Sequence, residues 1–364
     1  MKVLVIRLKY IGDTLLTLPV CRSIKNNYPD AEVHYLMYEH IASLYHSDEG
    51  LEPGIDQLQV ISSQEKKHPL KYLKKLRQLR AQKYDVVIDT LTVPATVLIS
   101  RFTGAKCLIG FDKGKLRSKW YTHKIPHVPN VSPMKQKLQL LRALPLPKKQ
   151  SKPITFSNDM QLHFSTRETD SIRSQMQEHG LDLNKPIIML SPIARVRFKL
   201  WPEPYFIELA NWLLANYDVQ LLIVWGPGEH TQAQAIKDNI DDNERVFCDI
   251  KSSIREMGQL ASQCSLYIGN DTGPRHIAEA AGIPTFTIFS PVYSRHVWIP
   301  NPGEQHQAID LTDVLNIGFD DHLLDMPMYH DKLDHYFNMV TPQKVIEKLN
   351  SMLEKYLNQT PKGD

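Results

Sequence analysis

The chain has 364 residues, of which 42% are hydrophobic and 23% charged. This composition excludes a disordered chain and is typical of about two globular domains. No apolar run approaches the ~18 residues of a membrane-spanning helix, and the first residues show no export signal. The four cysteines (Cys21, Cys107, Cys248 and Cys264) form no CxxC pair. Their scatter argues against a zinc site or a disulfide framework and favours a cytoplasmic location.

The net charge of +3 conceals an asymmetry along the chain. Residues 1–150 contain 25 basic and 12 acidic residues, a net charge of +13, whereas the remainder carries −10. The basic residues are concentrated in segments 64–83 and 101–124. A single lysine there is explained by a solvated surface. The excess over the whole half-chain predicts an anionic partner, which is nucleic acid, a membrane surface or a phosphorylated substrate.

Hydrophobic periodicity predicts an α/β domain in the first half of the chain. Predicted strands cover Val3–Leu8, Glu32–Met37, Gln57–Ile61, Asp85–Asp89 and Cys107–Phe111, and predicted helices cover Gly12–Asn27, Leu70–Gln82 and Pro94–Phe102. Short runs rich in Val and Ile are typical of parallel strands that are buried on both faces. Their alternation with helices predicts a parallel sheet.

A proline-rich segment, 145–160, interrupts this alternation and predicts a linker. A second series follows, with predicted strands at Ile187–Ser191, Gln220–Trp225, Arg245–Cys248, Ser265–Gly269 and Thr285–Phe289. Predicted helices cover Thr166–His179, Glu203–Asn216, His230–Asn239, Ser253–Gln263, Pro274–Ala281 and Pro342–Leu357, whereas residues 300–340 are polar and poorly periodic. We therefore predict Rossmann-like domains at 1–150 and 151–340, facing a central cleft, followed by a C-terminal helix and tail at 341–364.

The turn after the first strand holds the first candidate site residue, Asp13. Open parallel sheets bind ligands at the carboxyl ends of their strands, and Gly12 permits close approach of a ligand there. The alternative is that Asp13 only caps the following helix. The turn lacks a G-x-G-x-x-G sequence, which counts against a dinucleotide-binding enzyme.

Two strand ends of the second series carry further charged residues. Arg195, Arg197 and Lys199 follow the strand Ile187–Ser191 and predict a clamp for a diphosphate. Glu229 follows the next strand, where it either accepts hydrogen bonds from a ribose diol or favours a helix start through the helix dipole.

The segment YIGNDTGPRHIAEAAGIP (267–284) carries the most specific motif. The backbone amides of Thr272 and Gly273 open a helix and can bind phosphate. Asp271 is placed to accept hydrogen bonds from sugar hydroxyls. For His276, a buried structural role and a ligand contact both remain open. No Asp-x-Asp sequence occurs, so we expect neither a metal nor another cofactor in this site.

Four motifs together resemble glycosyltransferase family 9, the ADP-heptose:lipopolysaccharide heptosyltransferases of Gram-negative bacteria. They are IGDTLLTLP (11–19), K-x-W-P (199–202), GPGE (226–229) and NDTGPRHIAEAAGIP (270–284), in the order of the family. The resemblance implies a GT-B fold in which the first domain binds the acceptor and the second binds the nucleotide sugar. Many members of the family carry cysteines in the region corresponding to 300–340, and this chain has none there.

The resemblance assigns roles to individual residues. Asp13 matches the proposed catalytic base, and Lys199 matches a lysine on the donor diphosphate. Glu229 matches a glutamate on the nucleoside ribose, and Asp271 matches an aspartate on the heptose hydroxyls. The remaining matches are Thr272 and Gly273, whose amides contact the diphosphate, and His276, whose role stays open; Arg195 and Arg197 have no matched position and are predicted only from their charge.

The resemblance implies an inverting, metal-independent transfer of heptose from ADP-L-glycero-D-manno-heptose to the inner core of lipopolysaccharide. We expect an anionic, lipid-linked oligosaccharide acceptor at the cytoplasmic face of the inner membrane, with peripheral attachment and no nucleic acid partner. Candidate acceptor-binding residues are Lys71, Lys74, Lys75, Arg77, Lys113 and Lys115. The alternatives are transfer from another nucleotide sugar to another glycan, or a non-catalytic module that binds nucleotide or nucleic acid.

Overall fold

A computed structural model of the chain describes residues 1–114, 119–145, 153–291, 295–299, 303–315 and 333–361. The chain divides into two compact units, Met1–His163 and Phe164–Asp364. The boundary that we predicted at residue 150 lies within 146–152, outside the described residues. Within the described parts of the chain, no helix is both long and apolar enough to cross a bilayer.

The first unit is built on a sheet of six parallel strands. Its strands are β1 (Lys2–Ile6), β2 (Glu32–Tyr38), β5 (Gln57–Ile61), β6 (Val86–Asp89), β7 (Cys107–Asp112) and β8 (His123–Pro126), and a small hairpin is formed by β3 (His46–Ser47) and β4 (Gly50–Leu51). The order in the sheet is β5-β2-β1-β6-β7-β8. The described α-helices of this unit are Ile11–Leu15, Leu18–Asn27, Glu39–Ala42, Ser63–Lys67, Pro69–Ala81, Pro94–Thr103 and Pro133–Gln139.

The second unit repeats this architecture. Its strands are β9 (Ile187–Ser191), β10 (Gln220–Ile223), β11 (Val246–Phe247), β12 (Leu266–Asn270), β13 (Thr285–Ile288) and β14 (His306–Ile309), in the order β11-β10-β9-β12-β13-β14. All of these strands are parallel. The described helices are Thr166–Glu178, Glu203–Asn216, His230–Asp238, Ile254–Ser262, Gly273–Ala280, Arg295–Trp298, Leu311–Leu315, Leu333–Asn338 and Pro342–Leu357.

Local sequence explains several of these elements. The residues of β1 from Val3 to Ile6 are buried, as are all five of β9, which is typical of parallel strands whose sheet is covered on both faces. Two helices of the second unit begin with capping boxes, formed by Ser165 with Glu168 and by Ser253 with Glu256. The prediction of two α/β units with parallel sheets is confirmed.

The structure adds elements that were not predicted, such as β8 and helix Pro133–Gln139, and it changes the interpretation of three segments. The predicted helix Gly12–Asn27 is two helices, Ile11–Leu15 and Leu18–Asn27, with Pro19 in the first turn of the second. Strand β14 lies in the region that we described as poorly periodic, and it forms because β13 supplies its pairing partners. Helix Pro342–Leu357 is not a separate tail, since it packs against helix Glu203–Asn216 in the core of the second unit.

Candidate active site

Each sheet has one position at which its strand order reverses. In the first sheet, the chain builds outward from β1 on one side and from β6 on the other, and in the second sheet β9 and β12 play the same parts. Loops that leave two such strands diverge and leave a crevice at the carboxyl edge of the sheet, where α/β proteins bind ligands. Asp13 follows β1, Lys199 follows β9 and Asp271 follows β12, so all three lie at these positions.

The carboxylate of Asp13 lies between two buried cations. Its Oδ2 is 2.5 Å from Nη2 of Arg7, and its Oδ1 is 3.1 Å from Nζ of Lys137. Burial raises the pKa of this carboxyl, but Lys137 and Arg7 together outweigh burial and hold the pKa below its usual value. The helix Ile11–Leu15 has Tyr10 as its N-cap, with no side-chain cap hydrogen bond. The geometry therefore favours a charged site residue over the alternative of a helix cap.

Sequence reasoning missed both cations. Arg7 directly follows β1 and donates from Nη1 to the carbonyl of Thr90 at 3.3 Å, at the end of the neighbouring strand β6. Lys137 lies on helix Pro133–Gln139, on the same helical face as the buried Met134 and Leu138. A lysine in the middle of an apolar helical face was the signal that could have identified it, because such a lysine must be buried with a partner.

The predicted acceptor-binding residues fall into two groups. Lys71, Lys74 and Arg77 are exposed on helix Pro69–Ala81, whereas Lys75 is half-buried and donates to Oε1 of Gln59 at 3.2 Å. Lys113 follows β7 at the carboxyl edge of the sheet and donates to the carbonyl of Leu91 at 3.1 Å, and Lys115 lies outside the described residues. The helical group therefore presents three exposed cations, and Lys113 adds positive charge at the edge that carries Asp13.

In the second unit, Lys199 and Asp271 form an ion pair. Nζ of Lys199 is 2.7 Å from Oδ2 of Asp271 and 3.0 Å from its carbonyl oxygen. The side chain of Lys199 is 23% exposed and that of Asp271 only 3% exposed. An ammonium and a carboxylate that are held together in this way can serve a diphosphate and a sugar hydroxyl respectively.

The loop that carries Lys199 is fastened to the end of β12 by the buried Asn270. Nδ2 of Asn270 donates to the carbonyl of Pro192 at 2.8 Å, and its Oδ1 accepts from the backbone amide of Trp201 at 3.0 Å. Gly269 permits the close pairing that this requires, since a Cβ atom there would lie 2.6 Å from the carbonyl oxygen of Ser191. These contacts set the position of Lys199 beside Asp271.

A fully buried guanidinium supports Asp271 from the opposite side. Nε of Arg275 donates to Oδ1 of Asp271 at 3.0 Å, and its Nη1 donates to Oε1 of Glu279 at 2.7 Å. Sequence reasoning missed Arg275 and Glu279, although the spacing of 271, 275 and 279 by four residues is typical of ion pairs along one helical face. Asp271 is thus held between Arg275 and Lys199.

His276 and Glu279 complete this buried group. Nη2 of Arg275 lies 2.9 Å from Nε2 and 3.2 Å from Nδ1 of His276, and because a guanidinium only donates hydrogen bonds, the imidazole ring accepts from it. The ring is buried, which favours the structural role over a ligand contact. Burial raises the pKa of Glu279 to about 7, and its buried Oε2 has no hydrogen-bond partner among the residues that the structure describes.

Three further predicted residues lie at strand ends of the second unit. Thr272 and Gly273 are partly exposed at the start of helix Gly273–Ala280, where the helix dipole favours an anion. Glu229 accepts from the amide of Gly226 at 2.7 Å and from Nε of Arg195 at 3.2 Å. Arg195 is therefore paired with the predicted ribose-binding carboxylate rather than with Asp271.

Arg197 is exposed in the short helix Arg197–Lys199. It lies in the same loop as Lys199. The structure therefore groups the three predicted cations of this loop into Lys199 at Asp271, Arg195 at Glu229, and Arg197 at the surface.

Among the described residues, one cluster offers ligand atoms for a metal. The ligand atoms of His230, Cys248 and Asp249 lie within 4.8 Å of one another. Nζ of Lys237 lies 3.8 Å from the Asp249 carboxylate, and burial raises the pKa of Cys248 to about 11. A positive neighbour and a thiol that resists ionisation both oppose metal binding, so this cluster lends no support to a metal site.

Two Rossmann-like units with charged side chains at their switch points have the α/β architecture of the GT-B fold class. The sequence pattern of glycosyltransferase family 9 (heptosyltransferase) matches residues 72–310. This match covers more than half of the chain, and the protein belongs to that family. The resemblance that the four motifs predicted is thereby confirmed.

Individual relatives agree with this assignment. Lipopolysaccharide heptosyltransferase 3 of Escherichia coli (strain K12) is 26% identical over 294 residues, which are 78% of this chain and 80% of the relative. A family 9 glycosyltransferase from Veillonella parvula DSM 2008 has a similar structure, with a TM-score of 0.76, 17% identity and 97% of each chain covered. The E. coli heptosyltransferase WaaC, solved with ADP-2-deoxy-2-fluoro heptose, has a TM-score of 0.68 at 18% identity, over 96% of this chain and 99% of WaaC.

The raised pKa of Glu279 generates a prediction about stability. Between about pH 4.5 and 7, the folded state holds a proton on Glu279 that the unfolded state has lost, so this residue makes the protein less stable as the pH rises. In Glu279→Gln this loss is absent. We expect the free energy of unfolding of the wild type to fall between pH 5 and pH 8 by on the order of 1–3 kcal/mol more than that of the variant.

Urea unfolding followed by fluorescence at several pH values measures this difference. Glu244→Gln, at an exposed position of the same unit, is the matched control and should follow the wild type. Parallel pH curves for the wild type and Glu279→Gln would contradict a raised pKa at Glu279.

Proposed function

We propose that this protein transfers L-glycero-D-manno-heptose from an ADP-linked donor to the inner core of lipopolysaccharide, with inversion at the anomeric carbon. The observation that carries the proposal is the Lys199–Asp271 ion pair, which is 2.7 Å long at the switch point of the second sheet. Membership of a heptosyltransferase family supports it, as does the E. coli relative that is named a lipopolysaccharide heptosyltransferase. WaaC, a member of the same structural class, binds an ADP-heptose analogue.

The second unit would bind the donor. Departure of ADP leaves negative charge on the diphosphate, and positive groups that face this charge lower the barrier of the reaction. The Lys199 ammonium and the amides of Thr272 and Gly273 are placed to supply them. Asp271, which Arg275 orients from behind, would accept hydrogen bonds from heptose hydroxyls, and Glu229 would accept them from the ribose.

The first unit would bind the acceptor and remove its proton. An acceptor hydroxyl becomes a strong nucleophile as a base takes its proton. Asp13 is ionised at neutral pH because Lys137 and Arg7 hold its pKa low. An inner core that carries carboxylates and phosphates suits a unit with the exposed cations of helix Pro69–Ala81 and Lys113. With such an acceptor, the protein would act at the cytoplasmic face of the inner membrane and would be attached to that membrane peripherally.

Two experiments test the function as a whole. Mass spectrometry of the core oligosaccharide after deletion of the gene should show the loss of a heptose. In vitro, the purified protein should transfer sugar from ADP-heptose and not from UDP-sugars. Turnover of a UDP-sugar instead would favour the alternative of another nucleotide sugar and another glycan, and binding without any turnover would favour a non-catalytic module.

The role of Asp13 predicts a separation of binding from catalysis. Asp13→Asn should lower the rate of transfer by about 10²–10⁴-fold, the usual contribution of a positioned base. Its affinity for ADP-heptose should stay unchanged, because the base acts on the acceptor. Steady-state kinetics and calorimetry measure the two effects, with the exposed Asp30→Asn as the matched control. A variant that keeps more than a tenth of wild-type turnover would remove Asp13 from the mechanism.

For Lys199, in contrast to Asp13, we predict that a substitution lowers both the affinity for ADP-heptose and the rate of transfer. Lys199→Ala should weaken ADP-heptose binding and slow transfer by about 10²-fold, because the diphosphate gains charge as its bond to the sugar breaks. Added Mg²⁺ should not restore the variant, and EDTA should not inhibit the wild type. Lys185→Ala, which removes an exposed ion pair with Asp218, is the control. Strong inhibition by EDTA that a divalent ion reverses would overturn the metal-independent mechanism.

The charge of the first unit predicts that salt weakens acceptor binding more than donor binding. The Debye length falls from about 10 Å at 0.1 M salt to about 3 Å at 1 M, so the KM for a phosphorylated lipid acceptor should rise steeply. The KM for ADP-heptose should rise less, because its diphosphate makes short-range contacts. Replacing Lys71, Lys74, Lys75 and Arg77 by Gln should flatten the acceptor curve alone. Equal salt sensitivity of both substrates would show that these four residues only form a solvated helix face and do not bind the acceptor.

A further inference from the structure

The buried charges around Asp13 do not balance when all three groups are ionised. Arg7 alone neutralises the Asp13 carboxylate through a contact of 2.5 Å. Lys137 adds a second positive charge, and its side chain is only 4% exposed. An unbalanced charge in such a place is costly, and an amine avoids the cost by releasing its proton.

The two N–H groups of a neutral amine are enough to make the hydrogen bonds of Lys137. Nζ donates to the carbonyl oxygen of Asp13 at 2.9 Å and to its Oδ1 at 3.1 Å. Within the described part of the chain these are the acceptors of Nζ, and a neutral amine has two N–H groups to give. When Oδ1 of Asp13 takes up a proton, rotation about the Cε–Nζ bond turns the lone pair of that amine toward Oδ1, while one N–H still donates to the carbonyl oxygen of Asp13.

The electrostatics of the surroundings act in the same direction. Burial lowers the pKa of Lys137 to about 7, with the charges of Arg7 and Lys113 adding to this effect and that of Asp13 opposing it. At the same site, Arg7 and, while it is protonated, Lys137 hold the pKa of Asp13 below its usual value. Of the pair, Lys137 therefore has the higher affinity for a proton at neutral pH.

We propose that Lys137 is a positioning residue that receives the proton which Asp13 takes from the acceptor hydroxyl. This proposal rests on the proposed function. The acceptor oxygen forms a bond to the anomeric carbon, while the bond from that carbon to the diphosphate breaks and its electron pair leaves with ADP. The hydroxyl proton passes to Oδ1 of Asp13 and on to Nζ of Lys137, which changes from amine to ammonium. Asp13 ends the step ionised, and Lys137 later releases the proton to solvent.

The dependence of the transfer rate on pH tests this proposal. The pKa of Asp13 is lowered, so Asp13 alone would give a rate that is independent of pH around neutrality, whereas a neutral Lys137 is required here, so the wild-type rate should rise with pH to a plateau with a midpoint near 7. Lys137→Arg is positively charged at every pH tested and cannot accept a proton. Its rate at pH 8 should be lower by about tenfold or more, and the rise near pH 7 should vanish. Lys135→Met, at an exposed position of the same helix, should match the wild type.

A direct titration keeps the outcome clear if a variant folds poorly. The ¹³Cε resonance of Lys137, assigned by comparison with Lys137→Arg, should titrate near pH 7 in the wild-type protein. A midpoint near 10, or a Lys137→Arg variant that keeps the wild-type rate and its rise near pH 7, would overturn the proposal. Absence of any heptose transfer by the wild type would instead overturn the proposed function, and the two failures are therefore distinct.

Discussion

The arrangement of both candidate sites depends on the reversal of strand order in a fully parallel sheet. Parallel pairing brings the carboxyl ends of all strands to one edge, so that loops from distant parts of the chain meet there. The pairing of β9 with β12 sets Gly269 opposite Ser191, and the loops that follow them carry Asp271 and Lys199. The pairing of β1 with β6 sets Ile6 opposite Asp89. The next residues along the two strands, Arg7 and Thr90, are therefore neighbours and form a hydrogen bond.

Buried charge imposes a second constraint, which the two units meet in a similar way. Each places one carboxylate between two cations: Asp13 lies between Arg7 and Lys137, and Asp271 lies between Arg275 and Lys199. A buried carboxylate needs such partners, because its desolvation is otherwise too costly. The difference lies in exposure, since the Lys199 side chain is 23% exposed whereas that of Lys137 is 4% exposed.

This difference in exposure separates the chemistry of the two groups. An accessible ammonium at Lys199 keeps its charge and can meet a diphosphate, which gains negative charge as the sugar leaves. Burial disfavours the charged form of the Lys137 side chain, so it can be a neutral amine at neutral pH and can then accept a proton. The same kind of ion-pair cluster would thus serve two roles. The more exposed cluster at Lys199 would stabilise the leaving group, and the more buried cluster at Lys137 would remove the proton.

The sequence by itself determined the parts of this protein that depend on local pattern. Alternating apolar runs predicted the α/β units, and the four motifs predicted the family and the site residues Asp13, Lys199 and Asp271, because each motif occupies a single strand end. Partners brought in from distant segments could not be predicted. Lys137 is 124 residues from Asp13, and Arg195 reaches Glu229 only because β9 and β10 are neighbours. Only the tertiary structure decided these contacts, since strand order and burial, not local pattern, determine which charged side chains share a low-dielectric site.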